Sequence, residues 1–224
     1  MNVKNQNGSA GFSLIELVIS MTLILVLLGI VSSLLAQSFS IRARQSRKTD
    51  ALTSAQAALN IMSREIANSG FGIHDGSAFE NADNGIVRAD SSDSLIHFRA
   101  NLSNFGPGPT GPGCPAVCTD EDGEDVTYFF DDATDSIVRF DPHADPKTSV
   151  IVNKISNVKF AYFDYADNGT VTAEPGTTAP TSATGRVRLT VEVQLEKVSG
   201  QPDESVVFTS EINLRNSSYM LRQY

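Results

Sequence analysis

The feature that most constrains this chain is a nearly uncharged apolar stretch close to its amino terminus. It runs from Phe12 to about Phe39 and contains one charged side chain, Glu16. A helix of about 20 apolar residues crosses the hydrocarbon core of a bilayer, so this stretch is long enough to span one. A carboxylate in such a segment costs on the order of 2.5–3.5 kcal/mol on insertion scales. Glu16 is therefore a functional candidate.

A cleaved secretory signal peptide is the alternative interpretation of this stretch. Such a peptide has an apolar core of roughly 7–15 residues and a small-residue cleavage site after it. Ala36-Gln37-Ser38 imitates a cleavage site of that kind. The apolar run is about 25 residues long, however, and that length favours a spanning helix.

The residues that open the stretch carry a more specific signal. The run Gly11-Phe12-Ser13-Leu14-Ile15-Glu16 resembles the prepilin signal of the type IV pilin-like family, which includes type IV pilins and type II secretion pseudopilins. The resemblance implies cleavage between Gly11 and Phe12 by a prepilin peptidase and N-methylation of Phe12. It also implies that Glu16 meets the terminal amine of an adjacent subunit during assembly. The simpler alternative is that Glu16 only reaches toward the lipid headgroups.

The same resemblance implies a location and a set of partners. Residues 1–11 would be a cytoplasmic leader, residues 12–39 the membrane and assembly half of a helix, and the carboxyl-terminal domain would lie in the periplasm. The protein would reside in the bacterial inner membrane and then in a pilus filament. Its partners would be other major and minor pilins, the prepilin peptidase and an inner-membrane assembly platform.

The distribution of basic residues favours the opposite orientation. Only Lys4 precedes the span, whereas Arg42, Arg44, Arg47 and Lys48 follow it, and basic residues usually stay in the cytoplasm. We follow the motif because it specifies a processing event. The basic cluster is expected to be a solvated collar beside the membrane. Contact with anionic headgroups or with acidic neighbours in a filament is the alternative.

The helical pattern continues beyond the membrane segment, over residues 40–70. Apolar residues recur there at spacings of three and four and form one stripe, which predicts a core-facing helix. The stripe consists of Leu52, Ala55, Leu59, Met62 and Ile66. Proline is absent between Phe12 and Gly70, and Gly70 is expected to end the helix.

Residues 71–224 show the two-residue alternation of strands. Strands are predicted at 94–99, 126–130, 136–140, 158–163, 186–195 and 206–214. The fifth alternates almost perfectly, which is typical of an antiparallel sheet with one buried face. A long amino-terminal helix packed on a carboxyl-terminal antiparallel sheet is an α+β fold.

The order of these elements resembles PilW-like minor pilins and the J-type minor pseudopilins of type II secretion. That resemblance implies a minor type IV pilin that primes or caps pilus assembly. A minor type II secretion pseudopilin is the first alternative. A membrane-anchored adhesin or ligand-binding domain that uses the Gly- and Pro-rich segment 106–118 is the second.

Composition and cysteine content argue against several other classes of function. The formal net charge of −9 argues against nucleic-acid binding, which requires clustered basic residues. Cys114 and Cys118 are too few for a zinc site of four ligands. If the domain lies outside the cytoplasm, we expect a local disulfide between them, with two unpaired thiols as the alternative. The sequence contains no recognisable catalytic motif, so neither an enzyme nor a cofactor is predicted.

Two acidic turns are weak candidates for calcium binding. The first offers Asp164, Asp167 and Asn168, and the second is the run from Asp120 to Asp125. Carboxylate and amide oxygens suit calcium, but neither turn has the EF-hand spacing. Solvated hairpin tips are the expected interpretation, and no metal site is predicted.

Overall fold

The computed structural model describes residues 13–73, 84–103, 119–166, 170–195 and 205–221. The chain divides into two compact units, Met1–Arg47 and Lys48–Tyr224. One helix, α1 (Leu14–Ala67), starts in the first unit and ends in the second. All the strands belong to the second unit.

In the described part of the chain, seven strands and a short helix follow α1. The elements are β1 (Leu95–Arg99), β2 (Asp125–Asp131), β3 (Ser136–Phe140), β4 (Thr148–Asn153), β5 (Ile155–Asp164), β6 (Thr184–Gln194), β7 (Ser205–Asn213) and α2 (Ser218–Leu221). Strands β1, β2, β3 and β4 form one sheet in that order, and β5, β6 and β7 form a second. Every strand pair is antiparallel.

The α+β fold and the six predicted strands are confirmed, but the strands lie in two sheets and a seventh was missed. The missed strand, β4, is separated from β5 by Lys154 alone, whose φ of 62° lets the chain turn within one residue. A non-glycine residue rarely adopts that left-handed conformation, so the sequence carries no turn signal at this point. The turn moves the chain from the edge of the first sheet to the start of the second.

The core of the second unit contains residues from α1 and from both sheets. The predicted helix stripe is confirmed, because Ala55, Leu59, Met62 and Ile66 are all at most 2% exposed and only Leu52 is half-buried. The inward residues of β6, from Val187 to Val193, are likewise buried. Burying a side chain of Leu or Met size contributes about 1.5–3 kcal/mol, so this face of α1 holds the helix to the sheets.

Helix α1 ends where the sequence predicts. Gly70 has a φ of 79°, and its amide donates to the carbonyl of Arg99 at 2.9 Å. Gly85 packs against this turn so closely that a Cβ there would lie 2.0 Å from the nitrogen of Gly70. The helix end is therefore attached to the residues beside β1 by close backbone contact.

Candidate membrane and assembly site

The first part of α1 presents an unbroken apolar surface. Every large apolar side chain from Leu14 to Ile41 is at least half exposed. The most apolar window of the helix has a mean hydropathy of 2.8 and none of it is buried. Among the described residues, α1 alone is long and apolar enough to cross a membrane. An exposed apolar surface of this size requires a bilayer or partner subunits to cover it.

Three hydroxyl groups of this segment donate to carbonyls of the helix itself. Ser20 Oγ donates to the carbonyl of Glu16 at 2.7 Å, and Thr22 Oγ1 donates to that of Ile19 at 2.8 Å. Ser40 Oγ donates to the carbonyl of Gln37 at 2.8 Å. Because a polar group in hydrocarbon has no water to bind, these internal bonds suit a segment surrounded by lipid or by other helices.

Glu16 lies in the first turn of α1 and is exposed. The carbonyl of Ser13 accepts from the amides of Glu16 at 3.0 Å and Leu17 at 3.2 Å, so Ser13 stands at the N-cap position. The partial positive charge of a helix amino terminus favours a carboxylate in this turn. Ser13 and Glu16 also have the spacing of a capping box, in which the acidic side chain satisfies the cap. Gly11 and Phe12 lie outside the described residues.

The predicted disulfide between Cys114 and Cys118 lies outside the described residues, as do Asp167 and Asn168 of the first calcium candidate. Asp164, the remaining member, ends β5. Its Oδ1 accepts a hydrogen bond from Thr184 Oγ1 at 2.7 Å, so this oxygen is already used within the domain.

The second acidic turn is organised around Glu124, which is fully buried. Its carboxylate accepts from the amides of Leu102 at 2.7 Å, Ser103 at 2.9 Å and Glu121 at 3.2 Å. Burial alone would raise the pKa of Glu124, but these donors hold it below its ordinary value. Within the described ranges, no three His, Cys, Asp or Glu side chains are placed to hold a metal ion.

His97, the only described histidine on a strand, lies between two carboxylates. Its Nδ1 is 3.1 Å from Asp90 Oδ2, and its Nε2 is 2.5 Å from Asp125 Oδ1. Asp125 also accepts from Arg99 Nε at 3.1 Å. Since both ring nitrogens contact carboxylates, neither is available to take a proton from a nucleophile, as a catalytic triad requires.

Sequence reasoning missed a polar network that connects α1 to the first sheet. Glu65 Oε2 accepts from the hydroxyl of Tyr128 at 2.7 Å and from Arg139 Nε at 3.2 Å. Arg139 Nη2 continues to Asp141 Oδ2 at 3.2 Å, and Asp141 is fully buried. Together these contacts fix α1 to strands β2 and β3.

Burial, neighbouring charges and hydrogen bonds shift the pKa values of three members of this network. Burial and the carboxylate of Glu65 both raise the pKa of Tyr128. Burial alone would lower the pKa of Arg139, but Glu65, Tyr128 and Asp141 raise it. Burial alone would raise the pKa of Asp141, but the amides of Gly123 and His143 and the charge of Arg139 lower it. Arg139 and Asp141 therefore stay ionised at neutral pH.

A helix that is apolar and exposed over its first part, with one carboxylate in its first turn, is consistent with membrane anchoring. The family model of the prokaryotic N-terminal methylation motif matches residues 6–32. That segment contains Gly11, Phe12 and Glu16. The match confirms the resemblance to the type IV pilin-like family and supports a structural, non-enzymatic subunit. No curated protein and no solved structure matches the chain.

Proposed function

We propose that this protein is a minor type IV pilin that helps to prime or cap a filament. In this proposal the prepilin peptidase removes residues 1–11 and methylates Phe12. The apolar part of α1 then holds the protein in the inner membrane, with the second unit in the periplasm, until it is incorporated. The observation that carries the proposal is the prepilin motif at residues 6–32 at the start of an exposed apolar helix.

The mechanism is one of packing and charge compensation. After cleavage, Phe12 would carry a positive amine, and a neighbouring subunit would bring its Glu16 to that amine. A carboxylate among apolar helices is strongly stabilised by an opposite charge nearby, so the pair would set the axial register of the subunits. The Glu65 network holds the carboxyl-terminal part of α1 to the first sheet, so this part of the helix and the sheet would enter the filament together.

The first test is the intact mass and the amino-terminal sequence of the membrane-bound protein, with and without active prepilin peptidase. We expect a mature chain that begins at methylated Phe12 only when the peptidase is present. A chain that keeps residues 1–11 beside an active peptidase would make the protein an ordinary single-span membrane protein and would refute the proposal.

The second test separates assembly from helix capping at Glu16. We expect Glu16→Ala and Glu16→Gln to be processed normally and both to be lost from sheared filaments, because each removes the charge. A capping box accepts glutamine in place of glutamate. Recovery of incorporation by Glu16→Gln would therefore assign a capping role to Glu16, and normal incorporation of Glu16→Ala would exclude the assembly role.

A minor pseudopilin of type II secretion is the second candidate, since the same motif and anchoring helix serve both systems. Deletion of the gene separates the two possibilities. Loss of piliation and twitching with normal secretion supports the pilin, and loss of secreted enzymes with normal pili supports the pseudopilin. An adhesin that uses residues 106–118 would lose attachment, but not assembly, when that segment is deleted.

A further inference from the structure

We propose that Arg42, Arg44 and Arg47 form a binding collar for anionic phospholipid headgroups at the end of the membrane span. All three side chains are exposed on α1, and Lys48 continues the basic run along the sequence. The proposal concerns lipid on the carboxyl-terminal side of the span. It therefore holds for either orientation of the protein and does not rest on the proposed function.

The position of the collar follows from the length of the uncharged helix. Between Glu16 and Arg42 lie 25 residues without a charge, all of them in α1. At 1.5 Å per residue these extend over about 37 Å, more than the hydrocarbon core of about 30 Å and close to the 40–45 Å of a bilayer with its headgroups. When Glu16 is at one membrane surface, the collar therefore lies among the headgroups of the other.

The arrangement around the helix favours lipid over a single protein partner. With about 100° of rotation per residue, Arg44 and Arg47 project about 60° apart, and Arg42 projects about 140–160° away from both. The three guanidinium groups thus surround the helix. Lipid headgroups surround a spanning helix on every side, whereas one docked protein covers a single face.

The chemistry of the collar matches phosphate. A guanidinium group offers planar, paired donors to phosphate oxygens, and its charge persists at any physiological pH. Residues 1–47 carry four basic side chains and one acidic one, whereas 25 of the 26 acidic residues lie in residues 48–224. An anionic membrane surface therefore repels the second unit, and the collar supplies the attraction that holds this end of the helix at the headgroups.

The test uses energy transfer in vesicles that contain the full-length protein. The chain has no tryptophan, so Phe39→Trp, at an exposed position just before the collar, provides a single donor. Phosphatidylcholine vesicles receive a trace of dansyl-labelled phosphatidylglycerol or, in parallel, dansyl-labelled phosphatidylcholine. We expect stronger transfer to the anionic probe, and we expect 0.5 M salt to remove the difference because screening shortens the range of the attraction.

Two triple variants that remove the same number of charges identify the residues responsible for the preference for anionic lipid. The first variant changes Arg42, Arg44 and Arg47 to Gln. The second variant changes three exposed lysines of the second unit to Gln, namely Lys147, Lys154 and Lys159. A juxtamembrane basic side chain contributes roughly a fivefold preference for anionic lipid. We therefore expect the arginine variant to lose at least about tenfold in affinity for the anionic probe, and the lysine variant to match the parent.

Two results would overturn the proposal. One is equal transfer to both probes in the parent protein at low salt. The other is unchanged anionic preference in the arginine variant. If that variant keeps its lipid preference yet is lost from filaments, the collar binds an acidic neighbouring subunit instead. Processing by the prepilin peptidase, measured on the same samples, shows separately whether the proposed function fails.

Discussion

Removal of the Glu65 carboxylate should destabilise the second unit by about 1–4 kcal/mol, although the side chain of Glu65 is one-third exposed. In Glu65→Ala, the buried hydroxyl of Tyr128 loses its acceptor, which costs about 1–3 kcal/mol. The ion pair with Arg139 adds about 1 kcal/mol at most, because water screens Glu65 and Arg139 keeps Asp141 as a partner.

A double-mutant cycle isolates the bond between α1 and the sheet. Tyr128→Phe alone should lower the free energy of unfolding by about 1.5 kcal/mol, the lower limit for a hydrogen bond to a charged group. The loss stays at this limit because the Glu65 carboxylate still accepts hydrogen bonds from Arg139 and from water. In the double variant with Glu65→Ala, no buried hydroxyl remains without an acceptor. The double variant should therefore be more stable, by about 1.5 kcal/mol, than the sum of the single effects predicts.

The measurement is urea-induced unfolding of the full-length protein in mild detergent, followed by circular dichroism. Arg64→Ala is the matched control, since Arg64 is the exposed neighbour of Glu65 on the same helix and should change stability by less than about 0.5 kcal/mol. Additivity of the two single effects to within about 0.5 kcal/mol would refute the coupling that we infer from the 2.7 Å contact.

Two further predictions concern the core and the acid stability of the second unit. Met62→Ala should lower the free energy of unfolding in urea by about 2–5 kcal/mol, because Met62 is fully buried. Ile61→Ala, at a position that is 46% exposed, should lower it far less. Equal effects of the two substitutions would contradict the assigned helix face. The lowered pKa of Glu124 means that its stabilisation is complete above the ordinary value of 4.5 and is lost as the pH falls through the folded value. Glu124→Gln should therefore flatten the acid limb of a stability–pH curve, and Asp132→Asn, in an exposed turn, should leave that limb unchanged.

The helix and most strands could be predicted because their signals are local. The stripe of α1 and the alternation of β6 each place apolar residues on one face, and such periodicity is visible without knowing the fold. β4 was missed because its apolar run is short and no glycine or proline separates it from β5. The division into two sheets was also missed, since it depends on which strands pair.

The candidate site likewise combines features that the sequence shows directly with contacts that only the structure reveals. The motif from Gly11 to Glu16 and the length of the apolar run are properties of consecutive residues. The pairing of Glu65 with Tyr128 and Arg139 joins residues more than 60 positions apart in the chain. Neither spacing nor composition marks such a pair, because many other carboxylates in this acidic chain are equally plausible partners for Arg139.

The sequence alone determined that this protein has an apolar helix able to span a membrane, a prepilin motif at its start and an antiparallel domain behind it. Those properties follow from local hydrophobicity and from short motifs, which act before any long-range contact forms. Only the tertiary structure decided that two sheets share the α1 face, that Glu124 and Asp141 are buried carboxylates, and that Glu65 fixes the helix to β2 and β3. These depend on strand register and burial, which arise when distant segments pack together.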